Sequence, residues 1–312
     1  MGLVTTRKLI VHRVGSVFVT AAIFALILRR VPFAAVEAAL RDANLPWFLA
    51  LMIANTVFYF AWDTLVLAVA VRWFHGPVPY RELLPVRAVS YVVGFFNTNL
   101  GRGALAAYLT RRLHAPFLEL GSTVLFLVLT EYTQLVLWAM LGLLGLRAEV
   151  SRSLLAVAAG VTMLWLFVRW LLAPRAWSIA RTFRLATPRR YVTIVLLRAP
   201  MFFVSLVLHY QAAHAFGFHI PFVQMLTFLP VIFMIAALPI TVARLGSTQA
   251  AWIFFFSQYA PTPQLLAFSL AAHLVFALTR AVLGLLWLPV AYGQLVRPAP
   301  DATFSSAKIV AG

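Results

Sequence analysis

Between Pro46 and Val71 the chain carries one charged side chain, Asp63, in a run that is otherwise apolar or weakly polar. Crossing the hydrocarbon core of a bilayer takes about 20 residues at ~1.5 Å each, so this run is long enough to span. Val14–Leu28, Phe117–Leu146, Ser153–Leu172, Tyr191–Phe216 and Pro263–Tyr292 read the same way. Arg29-Arg30 follows the first run directly, with no small-residue cleavage site, which favours a retained anchor over a signal peptide. The composition agrees: 63% of residues are apolar and only 11% charged, whereas a soluble domain carries roughly 25% charged residues. No interval is long and polar enough for a soluble domain; the longest, about Pro174–Arg190, reads as a basic linker. The absence of cysteine excludes disulfides, thiolate metal sites and cysteine nucleophiles. A net charge of +17 then reads as loops lying against anionic lipid rather than as a nucleic-acid surface.

Two regions do not read as spans. In Leu84–Pro116, Pro85–Leu100 supplies sixteen residues and Ala104–Pro116 thirteen, both with polar or charged groups, on either side of Gly101-Arg102-Gly103. Two half-length helices are predicted to meet at this Gly-Arg-Gly and form a hairpin that enters and leaves on one side. Phe222–Pro261 is the second such region, broken near Leu245-Gly246. Irregular backbone at membrane depth is tolerated only where protein buries it or where it lines a wet cavity. Phe33–Asn44 reads as an interfacial helix, and His75-Gly76-Pro77-Val78-Pro79 as a turn.

The two regions are related by a shift of 145 residues. Leu84-Pro85-Val86 falls on Leu229-Pro230-Val231, Leu100-Gly101 on Leu245-Gly246, and Ala115-Pro116 on Ala260-Pro261, with 8 matches in 33 ungapped positions. The flanking spans follow the same shift. Each half therefore holds three crossings and one hairpin, and an odd number of crossings turns the second half upside down. The fold predicted is an all-α polytopic membrane protein of six spanning helices and two re-entrant helical hairpins in inverted 3+3 repeats, a transporter arrangement. Its parts are a cytoplasmic N-terminus (1–13), one transmembrane domain (14–292, repeats about 14–146 and 153–292) and a cytoplasmic tail (293–312) expected to be disordered. With both termini inside, sixteen Lys and Arg, Arg87 among them, fall on the cytoplasmic side, five outside and four within the membrane. That bias follows the positive-inside rule and favours this orientation; the membrane expected is the plasma (inner) membrane.

Charges within a membrane are costly, roughly 2.5–3.5 kcal/mol each on insertion scales. Asp63, Arg102, Glu131, Arg198, Arg244 and Arg280 therefore need partners or water. Arg102 and Arg244 stand at or near the two breaks. Half-helix N-termini at Gly103 and Ser247 would add positive dipole ends, a setting that suits a phosphate. Asn97 and Asn99 either line the same cavity or cap freed backbone groups. Tyr108 and Gln249 either reach a headgroup or sit at a wet helix boundary. Glu131 and Arg280 lie at comparable depth and are alternatives as a purely structural pair. The spacing of His209 and His214 is poor for one metal. No HExxH, GxSxG or Walker motif is present, so no catalysis, metal or cofactor is expected.

Asn97–Arg112, then Leu125 through Glu131, and Leu238-Pro239-Ile240-Thr241 with Leu245-Gly246 resemble the flippase-like transmembrane domain of the lysylphosphatidylglycerol synthase (multiple peptide resistance factor) superfamily. Gly101-Arg102-Gly103, Ala107-Tyr108 and Glu131 carry most of the first motif, and Leu238-Pro239 with Gly246 most of the second. No acid follows Gly103, and Gln249 stands near the position where the family has a Glu. The resemblance implies movement of an anionic or polyprenyl-phosphate lipid between leaflets. With the reading of the breaks and intramembrane charges, it leaves Asn97, Asn99, Arg102, Tyr108, Glu131, Arg244, Gln249 and Arg280 as candidates to bind the headgroup. The synthase domain is absent, so aminoacyl transfer is not expected. The alternative reading is a membrane enzyme or accessory protein in lipid-linked glycan or envelope lipid synthesis, with Asp63, Glu131 and His209 as its buried candidates. The expected partners are membrane lipids, with an envelope-synthesis enzyme or a second copy of the chain as further possibilities.

Overall fold

The computed structural model describes Ala25 and residues 32–96, 98–145, 177–237 and 246–296, and all regular structure among them is helical. The spans expected at Val14–Leu28 and Ser153–Leu172 lie outside these residues, Ala25 aside, as do Asn97 and Arg244; of Asn99 only the backbone is described. Among the described residues, four helices are long and apolar enough to cross a membrane. They are α2 (Leu45–Phe74), α5 (Phe117–Leu144), α7 (Pro188–Ala215) and α10 (Thr262–Val296). Local chemistry sets their starts. The Asn44 side chain accepts the Trp47 N–H at 3.2 Å, with Pro46 in the first turn of α2, and Thr187 accepts the Arg190 N–H at 3.3 Å, ahead of Pro188.

The remaining helices are short. α1 (Phe33–Asp42) precedes α2, and α3 (Tyr80–Phe96) and α4 (Thr98–Leu113) separate α2 from α5. A 3₁₀ turn (Ser178–Ala180) runs into α6 (Arg181–Leu185), and α8 (Phe222–Ala237) and α9 (Ser247–Phe256) separate α7 from α10. The order short helix, long helix, two short helices, long helix thus occurs twice. Phe33 and Ser178, and Phe117 and Thr262, open corresponding elements 145 residues apart.

The packing exchanges partners between the halves. α3 lies on α10, and its counterpart α8 lies on α5, the counterpart of α10. Both crossings run over a glycine of the long helix. A Cβ on Gly142 would fall 2.5 Å from Thr227 Oγ1 and 2.7 Å from its Cα. One on Gly284 would fall 2.7 Å from the Ala88 carbonyl oxygen and collide with Val92. Lipid removes most of the hydrophobic drive between helices, so close backbone approach and interhelical hydrogen bonds carry the association.

α2 and α7 run antiparallel through the centre. Asn44 N–H donates to the Ala215 carbonyl at 2.8 Å, Ser205 Oγ to Asn55 Oδ1 at 2.7 Å, and Trp62 Nε1 to the Leu197 carbonyl at 2.7 Å. An apolar cluster sits at each end of this pair. One joins Phe48, Phe216, Trp252, Phe256 and Phe268; the other joins Val71, Phe74, Leu109, Phe126 and Phe183. Charged side chains lie between the two.

Two local expectations are corrected. The first region does not break at Gly101-Arg102-Gly103: α3 ends at Phe96, α4 begins at Thr98, and the Gly-Arg-Gly lies inside α4. A glycine inside a helix costs only about 1 kcal/mol, and Gly101 serves contact instead. A Cβ there would lie 2.5 Å from the Ser90 carbonyl oxygen and 2.8 Å from Gly94 Cα, so α4 folds back tightly on α3. The half-helix N-terminus expected at Gly103 is therefore at Thr98, whereas the one expected at Ser247 is where α9 begins. The described part of Pro174–Arg190 is likewise more than a linker. Thr182 and Phe183 are buried, and Arg181 reaches Glu119 of α5 at 2.9 Å.

Candidate functional site

Four of the six charges that the sequence places inside the membrane, Asp63, Arg102, Glu131 and Arg198, line one small cavity of about 50 Å³. α2 contributes Asp63 and Leu67, α3 contributes Arg87, and α4 contributes Arg102 and Leu105. α5 closes one wall with Val124, Leu127, Val128 and Glu131, and α7 adds Arg198. The long helices are the frame, and the α3–α4 hairpin carries two of the three arginines into it.

Asp63 is the hub. It is 4% exposed, and its Oδ2 accepts from Arg87 Nε at 2.9 Å, from Arg87 Nη2, and from the Tyr91 hydroxyl at 3.1 Å. Its Oδ1 lies 3.7 Å from Arg198 Nη1, an ionic contact without a hydrogen bond. Arg198 is 2% exposed, and its Nε and Nη1 have no hydrogen-bond partner. Leaving buried donors unmet costs about 1–3 kcal/mol, more for a charged group. Such a cost is relieved when an acceptor enters the cavity that Arg198 lines.

Glu131 lines the same cavity, and its Oε1 accepts the Tyr59 hydroxyl at 3.3 Å. Tyr91 links the site to α10: the Arg280 guanidinium lies 3.5 Å from the centre of its ring and 5.0 Å from that of Phe276. This cation–π contact sets Arg280 behind the ring whose hydroxyl reaches Asp63. Three arginines against two carboxylates line the cavity, so its charge is net positive. The arrangement can hold an anion in a low-dielectric setting.

Of the residues singled out from sequence, Arg102 and Glu131 share this cavity, and Arg280 stands behind it. Tyr108 does not line it; its side chain packs in the apolar cluster of α2, α4 and α5. Gln249 lies in the other half, fully buried at the start of α9, where its Oε1 accepts the Gly246 N–H at 2.7 Å and its Nε2 has no partner. Arg244 and Asn97 lie outside the described residues, and the side chain of Asn99 is not described. His209 bonds within its own helix, its Nδ1–H donating to the Ser205 carbonyl at 2.7 Å. Among the described residues no group of His, Asp and Glu is placed to hold a metal.

Arg87 is the residue that the sequence misassigned, counted among loop charges on the cytoplasmic side. It belongs inside because α3 starts at Tyr80 and carries it seven residues inward, level with Asp63 eleven residues before the end of α2. The signal was present: an intramembrane Asp and an Arg on either side of one turn, His75–Pro79, in helices that return alongside each other.

These features define an integral membrane protein built from apolar helices around a buried charged cavity. The family described as the lysylphosphatidylglycerol synthase TM region matches residues 13–284, and the chain belongs to that family. No curated protein gave a significant match.

Proposed function

We propose that this protein is a flippase-like transporter that moves an anionic or polyprenyl-linked lipid headgroup between leaflets while the tails stay in the bilayer. The observation that carries the reading is Arg198: a buried guanidinium with unmet donors, facing a cavity shared with Arg102 and Arg87. A phosphate oxygen satisfies those donors. Family membership supports a role in membrane lipid handling.

Two related halves of opposite orientation are one arrangement that serves alternation between leaflets, and several observations support it. α2 and α7 are counterparts in the repeated order of elements, and they pack antiparallel. An operation that superposes them therefore reverses the direction of the chain through the membrane. The exchanged packing of α3 on α10 and α8 on α5 has the same two-fold character. In this reading the chain has six spans, α3–α4 and α8–α9 are re-entrant hairpins opening to opposite sides, and both termini are cytoplasmic in the plasma membrane.

The test is reconstitution in vesicles with a fluorescent anionic phospholipid and a labelled polyprenyl phosphate. Protein should speed their exchange between leaflets, and Arg102→Ala and Arg198→Ala should slow it. Equal rates in wild type and both variants would sink the proposal.

A further inference from the structure

The class of headgroup follows from the size and charge of the same cavity; this inference rests on the proposed lipid-handling function. One water needs roughly 10–15 Å³ of cavity, so about 50 Å³ has room for a group the size of a phosphate. Three guanidiniums face it against two carboxylates, and each carboxylate is already engaged. Asp63 takes Arg87 and Tyr91, while Glu131 takes Tyr59. Arg280 adds a further positive charge behind Tyr91. An ammonium group brought here would meet an excess of positive charge. A phosphate oxygen meets the Arg198 donors that lack a partner.

We propose that this cavity selects a compact anionic phosphate headgroup free of ammonium groups, and discriminates against aminoacylated or other amine-bearing headgroups. The functional donors are Arg198 and Arg102, with Asp63 as a resident counter-ion that holds Arg87 and leaves Arg198 incompletely satisfied.

The full chain in detergent is titrated with dioctanoyl phosphatidylglycerol, dioctanoyl phosphatidylethanolamine and the lysyl ester of dioctanoyl phosphatidylglycerol, with binding read by native mass spectrometry and by thermal shift. Phosphatidylglycerol is expected to bind at least about tenfold more tightly than either amine-bearing lipid. Arg102→Gln should lower its affinity about tenfold, and Arg102→Lys, which keeps the charge, should retain the order of preference. Equal or tighter binding of the lysyl ester, or no binding of phosphatidylglycerol, overturns the inference. Selective binding of phosphatidylglycerol without movement of any lipid in vesicles supports this inference and overturns the transport reading instead.

Discussion

Asp63 shows how much one buried carboxylate organises. It holds Arg87 of α3 directly, stands beside Arg198 of α7 and receives Tyr91. Removing one partner of a buried ion pair strands the other charges, at a cost of about 3–5 kcal/mol. Asp63→Ala is therefore expected to destabilise the protein by about that amount, read from unfolding in detergent, and combining it with Arg87→Ala should cost less than the sum of the two. A second residue-scale prediction concerns His75, just past the end of α2. Arg181 Nη1 donates to its Nδ1 at 3.2 Å, and its Nε2–H donates to Thr123 Oγ1 at 2.6 Å. Burial, and then the Arg181 charge, hold its pKa down to about 4 from an ordinary 6.5. The unfolded chain thus takes a proton on His75 at a higher pH than the folded protein does. Stability from this site is intact above 6.5 and falls as pH drops from there toward 4. His75→Gln should flatten the acid limb of a melting-temperature profile, and an unchanged limb would contradict the assignment.

At the scale of elements, contacts at glycines set how α3 and α8 dock. Gly142→Val and Gly284→Val place side-chain atoms against the backbones of α8 and α3. Each is expected to cost about 1–3 kcal/mol, visible as a lower melting temperature, while Gly103→Ala, which meets nothing within 4 Å, should not. The long helices were legible in the sequence because apolar length is a direct signal, and α2, α5, α7 and α10 begin and end within a few residues of the expected spans. The end of α3 was not legible. Gly101-Arg102-Gly103 looks like a turn in sequence, yet α4 runs through it because Gly101 is needed where α4 meets α3. Arg102 and Glu131 were legible as costly charges at membrane depth. Arg87 was hidden because its depth depends on where α3 starts, and that is settled by packing rather than by composition.

At the scale of the whole molecule, the antiparallel α2–α7 pair and the exchanged packing of α3 on α10 and α8 on α5 are the features on which the proposed alternation between leaflets rests. The absence of native cysteine makes the orientation directly measurable with single introduced thiols. Arg189 and His219 are exposed near opposite ends of α7. In whole cells, an impermeant maleimide is expected to label His219→Cys and spare Arg189→Cys; the reverse pattern would invert the topology. The central claim is that an anionic headgroup crosses through the arginine-lined cavity. Its most direct test is the initial rate at which fluorescent phosphatidylglycerol exchanges between leaflets of vesicles holding wild-type protein or Arg198→Gln at equal density. The expected result is protein-dependent exchange that falls about tenfold or more in the variant. Exchange at the same rate in both, or none above empty vesicles, would contradict it.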